Sequence, residues 1–182
     1  MKENQFTVGN CKIVVVEGDI TKIDANAIIT PINSNGDWDG GVDNAIFDVA
    51  RNHFHDQVRG KVIQDLETVF ARGKRNMPLN RGNFDNVIFV IDDLKSSLSS
   101  VVESGLSSAD YHSMEEVLLP AMRTGVVLGQ IESSMDEVAD QITAGIQRHF
   151  VEISDSIIAK ITIVIYNNEE FESAIIKRLK KI

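Results

Sequence analysis

One cysteine, Cys11, stands in 182 residues, and a lone thiol excludes both an internal disulfide and a zinc cluster built on cysteines. A reducing cytoplasm fits that usage. Basic residues are also short: 18 Lys and Arg face 27 Asp and Glu, for a formal net charge of −9. The chain therefore lacks the overall positive footprint on which non-specific nucleic-acid binding draws, and any anion must be held locally. No run approaches the roughly 20 apolar residues that a bilayer crossing needs. Met1-Lys2-Glu3-Asn4-Gln5 is too polar to open a signal peptide, so a soluble, intracellular protein is expected. There is no repeat of solenoid period and no linker rich in Pro or Gly. At this length residues 1–182 are expected to form one domain around one core. His53, His55, His112 and His149 lack the spacing of metal ligands. No metal and no cofactor is assigned.

What the chain does have is a set of short runs rich in Val and Ile, at 12–16, 27–30, 86–91, 117–120 and 160–166, with a further strand possible at 6–8. They are continuously apolar rather than alternating, which suits strands covered on both faces. Segments of helical period lie between them. Val42, Ala45, Ile46, Val49 and Ala50 form one stripe, which Val58, Val62, Leu66 and Val69 either extend or follow as a second helix after Gly60. Leu94, Leu98, Val101, Val102 and Leu106 form another behind Asp92 and Asp93, either of which could cap it. The serine-rich stretch 96–108 keeps this period and reads as a helix rather than a hinge. Ile131, Met135, Val138, Ala139, Ile142 and Ile146 follow Ser134 and Glu137, which are spaced as a capping box. A last helix from about Asn168 has acids in its first turn and bases near its end, as the helix dipole prefers. Strands alternating with helices predict a three-layer α/β/α sandwich around a mixed, mostly parallel sheet of about six strands. Ligands of such folds sit beyond the C-terminal ends of the strands.

Two loops qualify on that rule. The first leaves the strand at 27–30 and carries Asn33 through Gly40-Gly41-Val42; the second leaves 117–120 and reads Ala121-Met122-Arg123-Thr124-Gly125-Val126. Glycines there let backbone amides approach an anion closely, and a helix start adds its positive end. Two such loops could clamp a diphosphate.

With Gly18-Asp19-Ile20-Thr21, the stretch Asn26-Ala27-Ile28-Ile29-Thr30-Pro31-Ile32-Asn33, Gly40-Gly41-Val42-Asp43-Asn44-Ala45-Ile46 and Leu119-Pro120-Ala121-Met122-Arg123-Thr124-Gly125-Val126 in order, the sequence resembles the macro domain family, the ADP-ribose-binding fold. The resemblance implies ADP-ribose or an ADP-ribosylated protein as partner. It implies that Asp19 accepts from the adenine amino group with Ile20 beside it. Gly41 and Val42 would offer amides to the phosphate nearer the distal ribose, with Gly40 in the same binding loop, while Thr124, Gly125 and Val126 would close over the diphosphate. Asn33 would hold a distal-ribose hydroxyl and Val127 would stand beside that ribose. In the hydrolytic branch of the family, Asn33 and Asp43 would be the catalytic pair, orienting a water that cleaves an ADP-ribosyl ester or ADP-ribose-1-phosphate.

The pattern also departs from the family. Thr30 stands where hydrolytic members usually carry Asn, Pro31-Ile32 replace two alanines, Asp39 replaces a glycine, and Val127 sits where an aromatic ring is common. A hydrolase, a non-catalytic ADP-ribose reader and a scaffold with a degenerate pocket all stay open. Each residue also has a plainer role: Gly40-Gly41 as a turn, Asp19 as a cap, Asn33 in an Asx-turn, Asp43 as a first-turn acid favoured by the dipole. Trp38 either covers the ligand or covers the loop. Arg72, Lys74, Arg75 and Arg81 either meet a phosphate or an acidic partner or are solvated loop charge.

Overall fold

The computed structural model describes residues 4–36 and 40–182; Trp38 and Asp39 lie outside them. Seven strands form a single sheet: β1 (Asn4–Val8), β2 (Cys11–Glu17), β3 (Ala25–Ile32), β4 (Thr68–Ala71), β5 (Phe84–Ile91), β6 (Glu116–Pro120) and β7 (Lys160–Ile165). Their spatial order is β1-β2-β7-β6-β3-β5-β4. The five inner strands run parallel, and β1 and β4 close the two edges antiparallel.

Alternation along each strand sends side chains to two cores. Ile13 and Val15 of β2, with Ile29, Leu119 and Ile163, meet α2 (Leu98–Tyr111), α3 (Met135–Glu152) and α4 (Glu169–Leu179). Val14 and Val16, with Ile28, Leu118 and Val164, meet α1 (Gly41–Ala50) and Phe54 on the other face. This is the expected sandwich, and it explains why the inner strands read as unbroken apolar runs. Ile46 anchors α1 and is fully buried, a burial that contributes about 1.5–3 kcal/mol. Among the described residues no helix is long and apolar enough to cross a membrane.

Three local expectations change. The stripe through Val58, Val62, Leu66 and Val69 is no helix: Gly60 and Leu66 adopt φ of 76° and 69°, Val62 is 99% exposed, and Val69 lies in β4 opposite Phe89. Edge pairing with β5 satisfies that backbone where the sparse 3.6-residue spacing had no face to bury. The helix expected from Leu94 begins at Leu98, because Leu94 has φ of 58° and Ser97, not Asp92 or Asp93, caps it by accepting from the Ser100 amide. Ser134 does cap α3. The Glu137 carboxylate, however, takes the amide and hydroxyl of Ser133 at 2.8 Å, one residue before a strict capping box.

Candidate functional site

Because the inner strands are parallel, their C-terminal ends and the loops that leave them gather on one edge, which is where open α/β sheets have their ligand crevice. β3 and β6 pair directly through Ala27 and Ile28, so the two glycine-bearing loops spring from neighbouring strands. β7 separates β6 from β2, which puts Gly18-Asp19 at one end of the crevice.

Gly18 is tied to β7 by its amide, which donates to Ile165 O at 2.9 Å. Asp19 caps the tight turn Ile20–Lys22. Its Oδ1 accepts from the Thr21 amide at 2.9 Å and the Thr21 hydroxyl at 2.7 Å, and its Oδ2 lies 3.4 Å from Lys22 Nζ. Burial raises the carboxyl, but the hydrogen bonds from Thr21 and Lys22 outweigh it and hold Asp19 below the usual carboxylate range. The capping role is thus filled by Oδ1, and Ile20 is buried beside it.

Asn33 follows the last residue of β3. Its Oδ1 accepts from the Asn35 amide at 3.1 Å, and its carbonyl accepts from the Gly36 amide at 3.0 Å. The Asx-turn is real, and the Ser34 amide pins it to Asp93 Oδ1 at 2.8 Å. Downstream, Gly40 is the extended N-cap of α1, whose first turn receives no side-chain cap among the described residues. The other three α-helices are capped by Ser97, Ser134 and Asn168. Gly41 and Val42 therefore open α1 with the backbone N–H groups that an α-helix leaves outside its own ladder. Asp43 lies in that same turn, buried, with Oδ1 3.8 Å from Nε2 of the fully buried His55. His55 packs on Phe89 with ring centroids 5.2 Å apart. Spacing alone gives no hint of His55, which reaches Asp43 only through the turn that follows α1.

The second loop is braced from beneath. Arg123 has φ of 55° and a side chain 2% exposed. It donates to both oxygens of Asp92 at 2.9 and 2.7 Å, to Glu132 Oε1 at 2.8 Å and to Ser96 O at 2.9 Å. Burial works against its charge, but Asp92 and Glu132 prevail and raise its pKa further. Above this fork, the Thr124 hydroxyl donates to Ala121 O at 2.8 Å, and the Leu128 amide donates to Gly125 O at 3.0 Å. Gly125 and Val126 are exposed and Val127 is partly buried. Sequence reasoning passed over this triad because its partners stand 31 and 9 residues away.

The glycines that do not have a positive φ separate into two kinds. A Cβ added to Gly105 or Gly145 would come within 2.4 Å of Ile29 Cγ2 or 2.5 Å of Ser99 O. Helix packing accounts for both. A Cβ at Gly40, Gly41 or Gly125 meets nothing within 4 Å among the described residues, and none of the three adopts a left-handed φ. Packing among the described residues and backbone strain leave their glycine unexplained.

Two further features border this edge. Tyr166, 73% exposed, leaves β7 between the ends of β2 and β6 and was not singled out in the sequence. A cavity of about 660 Å³ opens on the β5 side of Asn33, lined by residues 33–36, 58–61, Ile63 and Ile91. The basic cluster is dispersed: Arg75 is bound to Asp85 at 2.8 Å and to Ala25 O at 2.6 Å, near the starts of β3 and β5. Arg81 donates to Asp48 O.

A largely parallel sheet between helical layers, with the loops that follow its inner strands gathered at the carboxyl edge, defines a three-layer α/β sandwich. No protein-family model matches the chain. An uncharacterized protein of Pyrobaculum aerophilum is 25% identical over 183 aligned positions, covering 92% of this chain and 91% of that one. Human protein mono-ADP-ribosyltransferase PARP14 is 26% identical over 167 residues, covering 89% of this chain but 8% of the human protein. The Oceanobacillus iheyensis macrodomain with ADP matches at TM-score 0.74 and 16% identity, covering 100% of this chain and 98% of that one. The Trypanosoma brucei macrodomain in complex with ADP-ribose matches at TM-score 0.75 and 16% identity, covering 92% of this chain and 68% of the other. The fold is that of a macrodomain, carried by a divergent sequence.

Proposed function

We propose that the crevice binds ADP-ribose, free or attached to protein, and that residues 1–182 act as one module for it. The observation that carries this reading is glycine at 40, 41 and 125, where among the described residues neither packing nor φ asks for one. Close approach of a ligand to backbone amides is the remaining physical reason. In this reading the amides of Gly41 and Val42 hold one phosphate at the positive end of α1, with Gly40 leaving room for it. The backbone of Thr124, Gly125 and Val126 closes over the diphosphate from the neighbouring strand, with Val127 flanking the distal ribose. Asp19 Oδ2 and Ile20 receive the adenine, Tyr166 supplies a ring for it to stack on, and Asn33 meets the distal ribose.

Isothermal titration with ADP-ribose tests the reading. Binding is expected, and Tyr166→Ala is expected to weaken it by about 1–3 kcal/mol, the usual worth of a base–aromatic stack. Absence of heat at high micromolar ligand with folded protein refutes it.

Hydrolysis is a second reading, favoured by Asn33 and Asp43 standing at the two ends of one loop. Water would attack the anomeric carbon, the bond from that carbon to a carboxylate or phosphate oxygen would break, the leaving group would depart with the bonding pair, and the proton that the water gives up would pass to solvent. Asn33 would orient the ribose and Asp43 the water, a positioning role that needs no covalent nucleophile. Turnover of a mono-ADP-ribosylated glutamate, abolished by Asn33→Ala and by Asp43→Ala, is the expected result. Binding without turnover makes the protein a reader.

A further inference from the structure

We propose that the cavity beside Asn33 receives an acidic peptide, the stretch of protein flanking an ADP-ribosylated residue. This rests on the reading that the crevice holds ADP-ribose.

β3 lies between β6 and β5 in the sheet, so the loop that leaves it has the crevice on one side and the cavity on the other. Asn33 lines the cavity and is the residue assigned to the distal ribose. Whatever is joined to the anomeric carbon of that ribose continues past Asn33, and the cavity is the space open to it. Its volume of about 660 Å³ falls within the roughly 300–1,000 Å³ of small-molecule sites and accommodates a few residues of extended peptide.

The walls specify charge. Arg59 and Lys61 flank Gly60 on one side, both exposed, in a chain of net charge −9. Arg59 pairs with Asp56 at 3.0 Å, both side chains being more than half exposed, and such a surface pair is weak enough for an incoming carboxylate to exchange with it. Asp93, close behind the facing turn, is engaged by the Ser34 amide and by Lys95 Nζ. Val58, Ile63 and Ile91 supply aliphatic lining. Among the described residues no aromatic ring lines the cavity. The described lining thus offers a second nucleotide no ring to stack on, whereas peptide carboxylates need only the two cations.

The test is titration calorimetry on the wild type, on Arg59→Glu/Lys61→Glu and on the milder Arg59→Ala/Lys61→Ala. The probes are free ADP-ribose, poly-ADP-ribose and two peptides carrying amide-linked ADP-ribose, one flanked by Asp and Glu, the other by Lys. Charge reversal is expected to leave the free ADP-ribose Kd within about twofold and to weaken the acidic peptide about tenfold or more, with the difference shrinking as salt rises. The alanine pair should lie between. Equal wild-type affinity for the two peptides overturns this inference alone, as does poly-ADP-ribose losing affinity on charge reversal while the acidic peptide does not. Failure of the wild type to bind free ADP-ribose overturns the reading of the crevice and this inference with it.

Discussion

Replacing Gly41 by alanine should separate binding from stability. Its added Cβ meets nothing within 4 Å among the described residues, and the position is the first of α1. Alanine in a helix is favoured over glycine by roughly 0.5–1 kcal/mol, partly through the unfolded chain. Urea unfolding should therefore give a stability equal to wild type or higher by up to about 1 kcal/mol. The same methyl would stand where a phosphate oxygen must come within about 3 Å of the amide, so the ADP-ribose Kd should rise about tenfold, or about 1.4 kcal/mol. Gly145→Ala is the matched control. There the Cβ lies 2.5 Å from Ser99 O and 2.8 Å from Val102 Cβ. A backbone oxygen cannot swing aside, so α2 and α3 must part, at about 1–3 kcal/mol. For a chain of 182 residues that lowers Tm by about 2–12 °C, with the affinity of the folded protein retained. A Gly41→Ala protein that binds ADP-ribose like the wild type, or one that is as unstable as Gly145→Ala, refutes the argument that ligand rather than fold requires this glycine.

Arg123→Ala should cost about 3–5 kcal/mol in urea unfolding, because it strands Asp92 and Glu132, both less than 10% exposed, without their cation. Adding Asp92→Asn and Glu132→Gln should recover part of it, and a single-mutant loss below about 1 kcal/mol would show that the fork does not brace the loop. Asp85→Asn tests the opposite end of the sheet. Hydrogen bonds from Arg75 hold the Asp85 carboxyl below its ordinary range, so its stabilisation is present above the usual Asp pKa near 4 and disappears as pH falls through the lowered value. The variant should be less stable by about 1 kcal/mol at pH 7 and should converge on the wild type in strong acid; a gap unchanged at pH 2 contradicts the assignment.

Much of the architecture was legible because burial on both faces of an inner strand leaves an unbroken apolar run, and a capped amphipathic stripe leaves a 3.6-residue period. Five such runs became the five parallel strands. β4 was not legible: its four residues are an edge strand with one partner, and Val69 happened to continue a helical spacing. Leu94 failed for a similar reason, since its left-handed backbone is set by the turn between β5 and α2 and leaves no mark on hydropathy.

The chemistry of the site divides in the same way. Order along the chain was enough to place Asp19, Asn33, Gly40, Gly41 and the loop at 124–127 after strands or at a helix start, because a loop follows its strand whatever the rest of the molecule does. Contacts between distant residues were decided by the folded sheet alone. The closing of Arg123 on Asp92, the position of Tyr166 between two strand ends and the cavity beside Asn33 all depend on strand order β2-β7-β6-β3-β5. Strand order follows from how several apolar faces share one core, and no local stretch of sequence contains that information.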